Sequence, residues 1–278
     1  MKAPMPNITP EFVSKINEMN LHPRTLRNLR MQYMLANDTL IPWLRELDCL
    51  PDHAQVCEIG CAEGGVLAAF VNNGSAYALG TDIQGALLEQ ISTPVMQRLE
   101  LPMTFTQHDV IYEDIPEDWS HRFDVVLLRD VIEHLDDVQI ALKNIKRLLK
   151  PSGVVLITFP PYSSAFGGHQ QLLGTTAGSF PFVHLLPKTL FFKIIEGGDP
   201  VNQEEVKRLH ALRCSAAKVI KGAQLAGLKL KSERYFGLRP VFKWKYQRSI
   251  PVLELTWLRH LPFVRSLAME AAFVFKAD

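Results

Sequence analysis

The sequence predicts an α/β protein built on an open, doubly wound sheet of mostly parallel strands. From about Gln55 onward, short apolar runs alternate with amphipathic ones, as parallel strands and their crossover helices do. The stretch "VCEIGCAEGG", Val56 to Gly65, ends an apolar run in an acid and then places small residues at Gly60, Ala62, Gly64 and Gly65, so the backbone can turn sharply and lie close to another group. The run "VVLITF" is apolar without interruption, as a parallel strand buried on both faces is.

In chain order, "AQVCEI" reads as the first strand and "VLAAFVNN" as its helix. "AYALGTDI" is the second strand, "QGALLEQISTPVMQRL" the next crossover, "MTFTQHD" the third strand and "FDVVLL" the fourth. Val138, Ala141, Leu142, Ile145, Leu148 and Leu149 then recur at helical spacing, with Pro151 and Gly153 as stop signals before the fifth strand, "VVLITF". A helix from Gln203 to about Ala226, a strand "LKLKSERYF" and a closing strand "AAFVFKAD" follow.

Residues 1–50 read as an N-terminal helical cap, with Thr9 as N-cap, Pro10 in the first helical position and an interruption at Pro42. Residues 51–278 hold the α/β domain, with insertions at about 160–202 and 236–269. Irregular segments of that length beyond parallel strands commonly form lids over a site.

A chain of 278 residues buries enough surface to need no disulfide staple. Cys49, Cys57, Cys61 and Cys214 form no paired framework, and Cys57 and Cys61 lack the second ligand pair of a zinc site, so all four are expected reduced. A formal charge of +1 and the absence of a lysine-rich block in the first 230 residues give no field for nucleic acid, and none is expected as a partner. "MKAPMPNITPEF" has no apolar core of signal-peptide length, and Pro, His and Lys break "SFPFVHLLPKTLFFKII". A soluble cytoplasmic protein is expected.

Ligands of open parallel sheets bind beyond the carboxyl ends of the strands. Those ends carry Glu58 and the Gly60 turn, then Asp82 about twenty residues on, then Asp109 and Val110, then Arg129, Asp130, Glu133 and His134. This is the outline of a nucleoside pocket, with Asp82 positioned to accept from two ribose hydroxyls. "GCAEGG" alone also fits a degenerate dinucleotide fingerprint, so the first turn does not choose between cofactors.

The acid two residues before Gly60, "GTDI", "QHDV", "LLRDVIEHLDD" and "LLKPSGVVLITFP" together resemble class I S-adenosylmethionine-dependent methyltransferases in order and spacing. The resemblance covers about Gln55 to Pro161 and extends to "AGLKLKSERYFG" and the terminal strand, which look like that family's closing antiparallel pair. It implies a Rossmann-like, mostly parallel seven-stranded sheet with an antiparallel last strand, and S-adenosyl-L-methionine as cofactor. It further implies that Glu58, Gly60, Ala62 and Gly64 line the methionine moiety, Asp82 takes the ribose hydroxyls and Ile83 packs on adenine. Asp109 would accept from the adenine amino group, the Val110 amide would donate to the ring, and the Arg129 backbone would lie near the methionine end. Ala62 departs from the pattern, where a second Gly is common.

An alcohol acceptor calls for a general base. His134 after strand four and His169 in "FGGHQQ" are the candidates, while His184, flanked by "FV" and "LL", reads as a core or lid histidine. Asp124 reads as structural, and Asp130, Asp136 and Asp137 as charge complementing the next helix dipole. No His/Asp cluster of ligand spacing is present, so no metal is expected.

Arg239, Lys243, Lys245, Arg248, Arg259 and Arg265 stand against Glu254 alone in the second insertion. They read as a solvated basic face or as a docking surface for a phosphate-bearing or membrane-associated acceptor, which would give peripheral membrane contact through 236–269. "FPPYSSAFGGHQ" and "FVHLLPK" resemble a bacterial subgroup of these methyltransferases associated with saccharide or secondary-metabolite tailoring. The expected reaction is O-methylation of a small hydroxylated acceptor such as a sugar or secondary metabolite, with a quinone or lipid-like acceptor as alternative. An NAD-dependent oxidoreductase and a cofactor-binding non-catalytic subunit, whose acceptor cavity would be blocked, are the rival classes. Oligomeric state is not legible.

Overall fold

The computed structural model describes residues 11–246 and 250–277. Thr9, Pro10 and Arg248 lie outside them. The elements in order are α1 (Glu11–Asn17), α2 (Pro23–Leu35), α3 (Ile41–Glu46), β1 (Gln55–Ile59), α4 (Gly65–Asn72), β2 (Tyr77–Asp82), α5 (Gly85–Leu87), α6 (Thr93–Arg98), β3 (Met103–Gln107), β4 (Phe123–Arg129), α7 (Val138–Leu148) and β5 (Leu149–Phe159). Then come α8 (Lys188–Glu196), α9 (Pro200–Leu212), α10 (Ala216–Leu225), β6 (Leu228–Leu238), α11 (Phe242–Lys245), β7 (Leu253–Glu254), α12 (Pro262–Leu267) and β8 (Glu270–Ala277).

The strands form one sheet in the order β3-β2-β1-β4-β5-β8-β6-β7. β1 to β5 pair in parallel, and β8 runs antiparallel to both β5 and β6. The sheet has eight strands and not the expected seven, because the two-residue β7 inside the second insertion pairs with the end of β6. Strand order reverses between β1 and β4, which opens a crevice at their carboxyl ends.

Side chains of the sheet alternate between two cores. Val56, Val125, Val154 and Val274 face the N-terminal helices and α4, whereas Cys57, Val126, Val155 and Phe273 face α7 and α10. Both faces are covered, which explains the unbroken apolar runs. α7 begins where the Asp137 carboxylate accepts from the amides of Gln139 and Ile140, at 2.8 and 2.9 Å, and it buries Val138, Ala141, Leu142, Ile145 and Leu148. Each of the Val, Leu and Ile side chains contributes roughly 1.5–3 kcal/mol when fully buried.

Several local expectations change. Pro42 does not interrupt the N-terminal helix: α2 continues through a π-helical turn, Ala36–Leu40, into α3. The same device, Leu88–Ser92, carries the second crossover into α6 ahead of Pro94. The helix read as Gln203 to Ala226 is two helices, broken where Arg213 takes a left-handed φ of 44° and Ser215 caps α10. Pro151 and Gly153 lie beyond the end of α7, in the irregular first stretch of β5. β6 runs to Leu238, so irregular chain begins slightly later than the 236 expected for the second insertion. The first insertion carries 3₁₀ turns, α8 and the start of α9.

Candidate active site

The β1 turn is tight for reasons of packing. Gly60 and Gly64 have φ of 69° and 83°, and a Cβ on them would lie 2.3 Å from Val131 Cγ2 and 2.7 Å from the Phe105 ring. The close approach legible in the sequence is therefore made by the protein's own side chains as well as by the adjoining cavity. Ala62 also has positive φ, 44°, and its amide donates to Asp82 Oδ2 at 3.0 Å. The Gln84 amide donates to Asp82 Oδ1 at 2.9 Å, so two backbone groups fix this carboxylate at the tip of β2.

The crevice at the strand ends is a cavity of about 640 Å³. Gly60, Ala62, Asp82, Ile83, Asp109, Val110 and Arg129 all line it. Ile83 is 65% exposed, an apolar side chain open to a planar partner. Asp109 Oδ1 accepts from the Ile111 and Tyr112 amides. Glu58 and Gly64 are not in the wall. Gly64 starts α4 behind it, and Glu58 is buried beneath, where loss of solvation pushes its carboxyl up to about 8 and its Oε2 has no partner among the described residues.

Asp130, which the sequence reading assigned to the helix dipole, belongs instead to a buried ionic chain at the cavity floor. It sits in a left-handed turn after β4, with φ of 56°. Arg129 Nη1 donates to its Oδ2 at 2.9 Å, Arg239 Nη2 to its Oδ1 at 2.5 Å, and Arg239 Nε to Glu270 Oε2 at 2.8 Å. Burial alone would raise the Asp130 carboxyl, and the two guanidinium groups hold it below its usual value.

His134 and His169, far apart in the chain, meet with ring centroids 4.9 Å apart. His134 lines the large cavity, and its Nδ1 is 2.7 Å from Glu205 Oε1. Arg208 completes the clamp, donating to the His134 carbonyl, to Asp136 and to Glu205. α9 thereby holds the Ile132–His134 turn. His169 lines a second cavity of about 280 Å³ between the two insertions, with Ser164, Phe166, Arg239, Lys245 and Tyr246. That space is open, contrary to what a blocked, non-catalytic relative would show. His184 is buried against Tyr162, donating through Nε2 to the Tyr162 carbonyl at 2.6 Å, as a core histidine. Asp124 is structural too, accepting from the Gln55 amide and Lys150.

The basic segment is largely neutralised. Arg239 pairs with Asp130 and Glu270, Lys243 approaches Asp38 at 3.9 Å, and Arg259 and Arg265 lie 3.4 and 3.2 Å from Glu233. Neither Glu205 nor Arg239 was legible as part of a site. Their local sequence reads as a solvated helix and a basic loop, and only long-range pairing reveals them. No helix of the described residues is long and apolar enough to cross a membrane.

A family profile described as a methyltransferase domain matches residues 57–155. The ubiquinone biosynthesis O-methyltransferase of Neisseria meningitidis is 29% identical over 118 residues, covering 40% of this chain and 48% of that protein. The chain spans about half the length of the curated relatives it matches. Among solved structures, an S-adenosylmethionine-dependent methyltransferase from Mesorhizobium loti superposes with a TM-score of 0.53 at 13% identity, covering 84% of this chain and 96% of that one. The magnesium protoporphyrin IX methyltransferase of Synechocystis, solved with S-adenosylhomocysteine, gives 0.52 at 13% identity, covering 96% and 93%. Residues 57–155 thus match a methyltransferase domain, and the chain shares its fold with S-adenosylmethionine-dependent methyltransferases.

Proposed function

We propose that the protein transfers the methyl group of S-adenosylmethionine to a hydroxyl oxygen of a small acceptor such as a sugar or secondary metabolite. The observation that carries this reading is the adjacency of two cavities. One, of about 640 Å³, lies at the switch point of the sheet with an anchored carboxylate, Asp82, in its wall; the other, of about 280 Å³, lies under the two insertions. Bound S-adenosylmethionine supplies a methyl carbon already activated by its sulfonium. The chain's own residues then bind and orient.

In this reading Asp82 accepts from the ribose hydroxyls, Ile83 covers the adenine, and Asp109 and the Val110 amide meet its polar edge. Gly60 and Ala62 present backbone to the methionine portion, with Gly64 and buried Glu58 supporting the turn from behind and Arg129 closing the far side. Holding the acceptor in line is worth roughly 7–11 kcal/mol of barrier. His134 and His169 stand where the two cavities approach each other, so the acceptor proton is assigned to this pair. The N-terminal segment 1–50 serves as a cap, 51–278 as the transferase domain, and the two insertions as acceptor cover. A cytoplasmic location belongs to the reading, supported by four free, buried cysteines.

A quinone or lipid-like acceptor is the second reading. Phe180, Phe182, Leu185, Leu186 and Leu190 on the first insertion are each at least 41% exposed, an apolar rim suited to such a ligand, and curated relatives act in ubiquinone biosynthesis by name. Peripheral membrane contact through 236–269 enters only with this reading. The test compares S-adenosylhomocysteine with NAD by calorimetry and then screens acceptors with radiolabelled donor. Binding of NAD but not of S-adenosylhomocysteine would discard the proposal.

A further inference from the structure

We propose that Glu133, His134 and His169 form a binding site for one divalent transition-metal ion of the zinc type, seated in the partition between the two cavities. The juxtaposition is invisible in the sequence, where His169 stands well apart from the other two. In the fold, one ligand atom from each residue lies within 4.8 Å of the others.

The strongest observation is what these groups lack. Glu133 is 3% exposed, and neither carboxylate oxygen has a hydrogen-bond partner among the described residues. Nδ1 of His169 is likewise buried and unpartnered. Such groups lose solvation without compensation, at a cost of several kcal/mol for a charged one, and a native fold that keeps them calls for a missing partner. The orphaned atoms can all act as electron-pair donors, His169 Nδ1 in its Nε2–H tautomer, and His134 Nε2 lies 3.9 Å from Glu133 Oε1, too far for a hydrogen bond. A cation shared among them satisfies every one.

His134 is held as a metal-bound histidine is held. Glu205 occupies its Nδ1 at 2.7 Å, which leaves Nε2 to face Glu133, the carboxylate–histidine–metal arrangement that fixes the ring and raises its basicity. His169 is fixed by backbone: it takes a left-handed φ of 53° before a 3₁₀ turn, between Gly168 and Gln170. Two imidazoles and one carboxylate form a donor set that suits zinc and its neighbours and not magnesium or calcium, which favour oxygen alone. Three protein ligands leave a fourth position open. His169 borders the smaller cavity, so that position can take an acceptor oxygen and lower its pKa; with the ion seated the two imidazoles serve as ligands, and the acceptor proton leaves to solvent in place of passing to the pair. This last step rests on the methyl-transfer reading; ion binding does not.

The test uses the full chain, stripped with a chelator and free of any donor or acceptor. Titration with Zn(II) by calorimetry and with Co(II) by visible spectroscopy should give one ion per chain and the intense absorption of four-coordinate cobalt. Glu133→Gln and His169→Ala should each lose at least tenfold in affinity, and Glu205→Gln, which replaces the charged partner of His134 and Arg208 by a neutral one, about 10- to 100-fold. No stoichiometric ion in the wild-type chain overturns the proposal, as does a cobalt spectrum unchanged by His169→Ala. Should circular dichroism show that the two buried variants do not fold, Glu205→Gln decides, and an unchanged affinity there overturns it. S-adenosylhomocysteine titrated into the stripped chain reads out the other hypothesis separately: ion binding without it leaves the metal site standing and removes the methyl-transfer reading.

Discussion

Asp130 and Arg239, 109 residues apart in sequence, meet at 2.5 Å across the carboxyl ends of the sheet, and the same guanidinium reaches Glu270 at the start of β8. One arginine thus bridges buried Glu270 and half-buried Asp130. Losing it leaves Glu270 without its ion-pair partner and Asp130 with Arg129 alone.

Arg239→Met is therefore expected to destabilise the fold by about 3–5 kcal/mol, the usual effect of breaking a buried pair from one side. Adding Glu270→Gln should restore part of that loss, since one stranded charge is removed. Urea denaturation of the single and double variants measures both, and equal stability of Arg239→Met and wild type would contradict the network.

Asp82→Asn keeps one of the two backbone hydrogen bonds, since the amide oxygen can accept from either Ala62 or Gln84 but not from both, so a loss of about 1 kcal/mol in stability is expected with the fold retained, together with S-adenosylhomocysteine binding weaker by about 10- to 100-fold. Loss of hydrogen bonds to a charged acceptor is worth roughly 1.5–3 kcal/mol. Calorimetry checks this, and a dissociation constant within twofold of wild type would remove Asp82 from the nucleoside site.

His184 makes stability depend on pH. Burial lowers it to about 4 from an ordinary 6.5, outweighing the hydrogen bond from Nε2–H to the Tyr162 carbonyl, which acts the other way; Nδ1 is buried with no partner among the described residues. Neighbouring His210, whose pKa is also lowered by burial and by Arg213, acts with the same sign. The unfolded chain binds the proton more readily, so the stabilisation is fully present above pH 6.5 and is lost as the pH falls toward 4. His184 accounts for about 2–3 kcal/mol over that window. Denaturant midpoints measured between pH 7 and 4.5 should fall for wild type and fall distinctly less for His184→Gln.

Gly167→Ala should loosen the first insertion. Its Cβ would stand 2.0 Å from the Pro161 carbonyl oxygen and 2.6 Å from that of Tyr162, backbone atoms that cannot rotate away. A cost of roughly 1–3 kcal/mol is expected, seen as faster proteolytic nicking within 160–202. Gly197→Ala, where the nearest atoms are 3.7 Å away, is the control and should nick at the wild-type rate.

The sheet was legible because apolar runs such as "FDVVLL" and "VVLITF" are buried on both faces, and a short run flanked by turns has few alternatives. Asp82 was legible because its position follows from the strand before it. Asp130 was misjudged for the converse reason. An acid just ahead of a helix looks like a dipole partner, and only the fold brings Arg239 to it. Glu205 and Arg208 carry no signal of a site in the local sequence, and only the fold brings α9 to clasp the His134 turn. Local pattern carries what a residue does to its neighbours in sequence; it carries nothing of a partner delivered by a long insertion. The prolines misled in another way, since a helix can widen and go on.

In both widened turns the residue just before proline donates its amide five residues back, Ile41 to Ala36 and Thr93 to Leu88. Each helix therefore holds one residue more than its hydrogen-bond ladder would otherwise need, slack that was taken up without rotating the buried stripe downstream. Removing a single residue there, with alanine in place of Pro42 or Pro94, would close the ladder into regular α-helix. These two places are where the chain can shorten by one and keep Trp43 and Met96 facing inward.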